Sequence, residues 1–469
     1  MIKGFLTAMS LFILLGGDVC RAADPQSIRD FEQFPTSVPG LRPEMLYPEF
    51  WIARTGDPDR LLLTWEQVVE YNRATVAKAP TLVDLRSYPD TVAGAEVKSK
   101  LEELCKVPSG ERYFLDGTKV APADYKACID NIGYGAIPEE IEVRWGLAAR
   151  RDILRSFPTP TPVFNSSRDP EVDVFAETVL YPGEPVAVLH SSADGKWLLV
   201  QKYNYLAWAA ADQIALGSRK EVLDYAGNDK FLVVTGAKVR TVHDPVTPAI
   251  SEMEFDMGSR IPLAVKPVYE VDRMGTDYCF TVLVPLRRAD GTLEIRPALI
   301  PRSADVNLGY LPYTRANVIR QAFKFLGERY GWGDANNARD CSGFVLNVFS
   351  CFGLIVPRNG GEQERDSEGV LFDLLGKSSA ERVAVLKSLE AGDTISSPTH
   401  IMIFLGSCDG ELWMIHDHIG SSYIVDGKWI DVTTRGVGVS PILGYMTSPE
   451  RHYYEAFSGV KRFVLPEGK

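Results

Sequence analysis

Histidine and cysteine are scarce in this chain of 469 residues, six and seven respectively, and no cluster of them has the spacing of a zinc site. No metal or other cofactor is expected. Positive charge is also short: 50 Lys and Arg stand against 62 Asp and Glu, a formal net charge of -12. Binding a polyanion takes a basic surface, so nucleic acid and anionic membrane are poor choices as main partners. A phosphate-cradling loop is missing, because Gly331-Trp-Gly333 lacks both the further glycines and a preceding strand. Nor is there an apolar run long enough to span a bilayer. The stretch from Phe5 to Leu15 follows Lys3 and precedes Cys20-Arg-Ala22, which is the order of a secretion signal over 1–23, cut after Ala22 or Ala23. A competing reading acylates Cys20, but Asp18-Val19 is a poor approach to a lipoprotein cysteine. The mature chain is expected in the periplasm or cell envelope, as a monomer without a transmembrane segment.

Six cysteines remain once Cys20 is removed, and an oxidising compartment permits disulfides. Connectivity is not readable from sequence; Cys105 and Cys128 flank one compact stretch and are candidates for a bridge. Cys341 is different. It follows a glycine- and asparagine-rich turn from Tyr330 to Asn337. It also opens a run in which Phe344, Val345, Val348, Phe349 and Phe352 share one helical face, stopped by Gly353. A thiol at a helix N-terminus lies among unpaired N–H groups at the positive end of the macrodipole. Both should lower its pKa and favour a nucleophile.

A nucleophile of this kind needs a base and the base an orienting partner. A strand is expected from His400 to Leu405 and another from Glu411 to His416, joined by the five residues Gly406 to Gly410. With Leu405 opposite Glu411, His400 lies directly opposite His416 on one face. His418 shares that face but falls opposite Pro398, beyond the strand end. Cys341, His400 and His416 are therefore the expected nucleophile, base and orienting residue. The same residues with His418 are of metal-ligand type, but Asp340 and Ser342 flanking a capping cysteine fit a peptidase better.

The set Tyr330-Gly-Trp-Gly, Arg339-Asp-Cys-Ser-Gly-Phe344, Val356-Pro-Arg-Asn359, His400-Ile-Met-Ile-Phe-Leu-Gly406 and Ile415-His416 resembles the NlpC/P60 family of cell-wall cysteine peptidases. The short connection from Gly392-Asp393 to His400 is similar to the subfamily with bacterial SH3 domains ahead of the peptidase. The resemblance implies hydrolysis of the bond between γ-D-glutamate and a diamino acid in peptidoglycan stem peptides or murein fragments. It also implies that Tyr330, Asp340 and Ser342 line the approach and meet the free amine of an L-alanine. At Asn359-Gly360-Gly361 the chain departs from the family's more usual pattern. Two other functions stay open: a wall-binding protein whose peptidase domain is idle, and a muramoyl-alanine amidase.

The rest of the chain agrees with a multidomain α+β protein. Residues 24–150 read as mostly helical after a proline-rich arm, with helices from Trp65, from Ala93 to Cys105 and from Pro122 to Asn131; the resemblance makes this a stabilising segment. Residues 151–217 and 225–312 each carry strand, Asp-Gly turn and strand, and resemble two SH3-like β-barrels. Residues 313–469 put helices before an antiparallel sheet, the papain-like arrangement, with Thr314 capping the first helix. The link from Leu311 to Thr314 is too short for a hinge. The first barrel is therefore expected to close one end of the cleft, with Glu177 and Tyr205 reaching the substrate amine beside Asp340.

Overall fold

Three capping and turn signals set the N-terminal elements of the computed structural model, which describes residues 36–166 and 169–466. The signal expected at 1–23, with Cys20, lies outside them. Thr64 accepts the N–H of Gln67 and Gln67 accepts that of Thr64, a reciprocal box that starts the helix Trp65–Lys78. Helices Gly94–Leu104 and Pro122–Ile132 follow. The proline-rich stretch is not an extended arm. Pro43 and Pro48 each open a short helical turn, Pro43–Leu46 and Pro48–Ile52, as a ring that presets φ allows at the first helical position.

This N-terminal region serves two cores. Met45, Trp51, Val68 and Tyr71 are buried with the C-terminal domain, and the Trp51 ring lies 6.0 Å from Trp413. Leu101 and Ile132 share a separate core with Trp145, Trp197 and Trp208. Cys105 and Cys128 are free thiols, as are the other cysteines among the described residues. The expected bridge is thus corrected: the Cys105 thiol donates to the Ser156 carbonyl at 2.9 Å instead.

The first β block is a seven-stranded antiparallel sheet in the order Ile214–Gly217, Arg144–Ala148, Pro185–Ser191, Trp197–Lys202, Tyr205–Ala210, Asp152–Arg155, Ala176–Leu180. Its sheet reaches back to Arg144, ahead of residue 151. The second block builds its own core from Leu232, Val239, Phe255, Ile261, Val282 and Ile300, around the long hairpin Cys279–Arg287 and Leu293–Pro301.

In the C-terminal domain, Thr314 accepts the Asn317 N–H and starts the helix Arg315–Phe323. The helix Cys341–Ser350 buries Phe344, Val345, Val348 and Phe349 against Ile401, Ile403 and Ile415 of an eight-stranded antiparallel sheet. Helix before sheet, nucleophile helix against sheet: the class is α+β, as expected.

Candidate active site

The loop from Gly331 to Asp340 is held from both β blocks. Arg151 of the first donates to the carbonyls of Asp334 (2.6 Å) and Ala338 (3.1 Å). Asp256 of the second accepts from the fully buried Arg339 at 2.9 Å, and Arg339 also reaches Glu328 and Asn347. An orphan charge here would be costly, so this network sets the loop firmly. Asp340 then caps the nucleophile helix, its Oδ1 taking the Gly343 N–H at 2.8 Å. A Cβ at Gly343 would sit 2.0 Å from Asp334 Oδ1, so only glycine lets that carboxylate close on the helix start.

Cys341 stands at this N-terminus, half-buried and open enough to be reached. One expectation needs correction. Burial first, and then the Asp340 charge, push the thiol up to about 12, although the Ile401 N–H and Arg358 favour the thiolate. Desolvation thus opposes what a helix end offers a thiolate.

The histidines meet, but not in the register expected. The turn between their strands has two residues rather than five: Cys408 pairs with Glu411, and Asp409 and Gly410 take φ of 52° and 83°, as a primed hairpin turn requires. A bulge at Leu405 then resets the pairing to Phe404 with Met414 and Ile403 with Ile415. Carried on, that register sets His400 level with His418, and His416 two residues nearer the turn. All three still share one face, and His400 Nε2 lies 2.8 Å from His416 Nδ1. His416 Nε2 in turn lies 3.0 Å from Ser440 Oγ. His418 stacks on His416 with centroids 3.7 Å apart and planes within 8°. His416→Ala should reduce kcat/KM by roughly 10²-fold or more, the range of a lost acid–base function, and His418→Ala by far less. Equal losses would move the orienting role to the stack.

Burial holds all three rings neutral. It lowers His400 to about 3, with His418 adding to the effect, His418 to about 4, and His416 well below its usual value. Unfolded imidazoles take a proton near 6.5, so the unfolded chain binds more protons as pH falls from there. Stability should decline on acidification below about 6.5, and His418→Phe should make that decline shallower. Urea midpoints at pH 7 and 5 test this; parallel slopes in both proteins would contradict a neutral buried His418.

One side chain that the motif reading left without a role ties the site together. Arg358, 2 % exposed, donates to Asp340 at 2.7 and 3.1 Å, to Ser342 Oγ at 2.7 Å and to Thr178 Oγ1 at 2.6 Å, and pairs with Asp334 at 3.1 Å. Burial drives the Asp340 carboxyl up, but the Arg358 charge and its hydrogen bonds bring it below its usual value. Ser342 therefore serves this lock, with its hydroxyl 3.1 Å from Asp340. Thr178 brings the first β block to the cleft. Beside it, Glu177 is the extra residue of a bulge, since Leu154 pairs with Thr178 and Arg155 with Ala176. Bulges re-aim a side chain. Glu177 accepts from the Tyr205 hydroxyl at 2.5 Å, and both groups feel the Arg358 charge. Burial raises the Glu177 carboxyl. Trp208, by contrast, is core.

Tyr330 is buried, and burial and then the Cys341 and Asp340 charges raise its phenol. Asp417, which sequence reading missed, is fully buried with neither oxygen hydrogen-bonded within the protein. Burial and then Asp340 push it up to about 9, so it is neutral at pH 7. Nothing in the local pattern around Ile415-His416-Asp417 marks it. Asn359 is exposed and leads into the short helix Gly360–Arg365.

Comparison with known proteins agrees with this layout. The NlpC/P60 family model matches residues 327–438, and that of an SH3 domain (SH3b1 type) matches residues 162–210. The second β block is not among these matched residues. A γ-D-glutamyl-L-lysine dipeptidyl-peptidase of Bacillus cereus is 25% identical over 304 residues, which span 61% of this chain and 75% of that protein. A protein of the same name from Bacillus subtilis is 36% identical over 98 residues, 20% of this chain and 33% of that one. A solved NlpC/P60 endopeptidase from Photobacterium damselae subsp. piscicida shares the fold with a TM-score of 0.71 at 15% identity, covering 88% of this chain and 97% of its own.

Proposed function

We propose that this chain, whose residues 327–438 match the NlpC/P60 family model and whose residues 162–210 match that of an SH3 domain, is a cysteine peptidase that hydrolyses the γ-D-glutamyl–diamino acid bond of peptidoglycan stem peptides. Its substrates are released fragments with a free N-terminal L-alanine, met outside the cytoplasm in murein recycling or remodelling. The observation that carries the reading is the half-buried Glu177–Tyr205 pair, next in sequence to Thr178, which bonds the same arginine that fixes Asp340 beside Cys341. Carboxylates gathered beside the nucleophile suit an ammonium, a charge-assisted contact that N-acylation would remove. The names of the two Bacillus relatives support the bond chosen.

In this mechanism His400 takes the Cys341 proton as the sulfur attacks the amide carbonyl. Thiol and imidazole both start neutral, so the ion pair forms only along the reaction. The N–H groups at the helix start, including that of Cys341, hold the oxyanion. His400 then protonates the leaving amine, leaving a thioester, and delivers a water to it. Incubation with the tripeptide L-Ala-γ-D-Glu-diamino acid should give L-Ala-D-Glu and the free diamino acid by mass. Release of L-alanine alone, or cleavage only of muramoyl-alanine linkages, would overturn the bond assigned.

A further inference from the structure

The His400–His416 contact leaves a question that catalysis has to answer: which ring carries the proton between them. At 2.8 Å the two nitrogens share one hydrogen. If it sits on His400 Nε2, then Nδ1 of neutral His400 has a lone pair and takes the thiol proton. Neutral His416 then carries its own hydrogen on Nε2 and donates it to Ser440 Oγ, 3.0 Å away. If it sits on His416 Nδ1 instead, neutral His400 is protonated on Nδ1 and cannot act as base. In that second state Ser440 has to donate to His416. The direction of one serine hydroxyl therefore matches one tautomer of the base.

The surroundings of Ser440 allow the productive direction. The residue is 1 % exposed on the strand Lys428–Pro441, so water does not compete for its hydroxyl. The Tyr423 phenol, also buried at 1 %, lies beside Ser421 and Ser440 and has no hydrogen bond of its own closed within the protein. With the Ser440 hydrogen turned toward that oxygen, a serine lone pair is left for His416. The His418 ring stacked on His416 fixes the plane of that ring.

We propose that Ser440 is a positioning residue, the fourth member of a Cys341–His400–His416–Ser440 chain, whose hydroxyl accepts from His416 Nε2 and thereby holds His400 in the tautomer that can accept the thiol proton. The proposal rests on the peptidase reading above. It is tested with Ser440→Thr and Ser440→Val, which have the same shape and differ only in the hydroxyl, so that any packing fault of the extra methyl appears in both. Ser440→Val should lose about tenfold or more in kcat against Ser440→Thr, short of the ~10⁴-fold that a wrong tautomer costs at its worst, with KM within about twofold. Long-range ¹H–¹⁵N spectra of histidine-labelled protein give a readout without substrate. His416 should show a protonated Nε2 in wild type and in Ser440→Thr, and lose that signature in Ser440→Val. Equal kcat in the two variants, or an unprotonated His416 Nε2 in wild type, overturns the relay. Full activity of His400→Ala is the separate result that would overturn the peptidase reading itself.

Discussion

Cys341→Ala should abolish cleavage, lowering kcat by roughly 10⁴-fold or more while leaving the fold intact, because the sulfur is the bond-forming atom and the triad acts as a unit. The side chain is small and half-buried at the helix start, and the Asp340 cap, the Arg358 lock and the apolar face from Phe344 to Phe349 do not depend on it. Its thermal midpoint should therefore stay within the change expected of about 1 kcal/mol. Cys341→Ser should be as inactive, since an alkoxide is harder to form in a site that already holds the thiol neutral. Undiminished turnover in Cys341→Ala with native stability would remove the nucleophile from the account.

Arg358 carries the second large effect. It forms ion pairs with both Asp334 and Asp340 at the helix start, and it also reaches Ser342 and Thr178. Arg358→Met would leave two buried carboxylates side by side without the cation they share. Breaking a buried pair on one side costs about 3–5 kcal/mol, and a loss of that size is expected in urea unfolding. Activity should fall too, because Asp340 could no longer be held ionised as cap. Adding Asp334→Asn to Arg358→Met should recover part of the stability by removing one of the stranded charges, which separates this cause from a packing fault. A loss under about 1 kcal/mol in Arg358→Met would mean that the lock is solvated.

The parts of this site that were legible in the sequence are those set by local rules. Thr64 and Thr314 cap the helices they were expected to cap, whereas the cap expected at Cys341 falls one residue earlier, on Asp340. The face from Phe344 to Phe349 follows from periodicity, and the Asp-Gly hairpins from turn chemistry. The His400–His416 meeting was legible in its outcome but not in its path. Asp409-Gly410 makes the tight turn that its residue types permit, and the resulting slip is undone by a bulge at Leu405, which periodicity cannot announce. Cys341 misled in one respect: a helix end lowers a thiol pKa, whereas the burial that raises it comes from strands far away in sequence. Arg358 and Ser440 were not assigned roles because their partners lie up to 180 and 24 residues away, on elements that only tertiary folding brings near. Glu177 and Tyr205 were named from the expectation of a barrel closing the cleft. Their 2.5 Å contact is local to that barrel, and Glu177 is the extra residue of a bulge that pairing rules do not announce.

The most direct test compares two substrates that differ only at the amine. L-Ala-γ-D-Glu-diamino acid and its N-acetylated form are offered at equal concentration, with kcat/KM read from release of the diamino acid. A pocket built around Glu177, Tyr205 and Asp340 predicts that acetylation costs roughly 10²-fold or more, since it removes a buried charge-assisted contact and leaves a carboxylate unpaired. Glu177→Gln should narrow that gap by slowing the free amine alone. Comparable rates on the two peptides, or efficient digestion of intact sacculi, would contradict a closed amine pocket and leave the SH3 block as a wall-binding module.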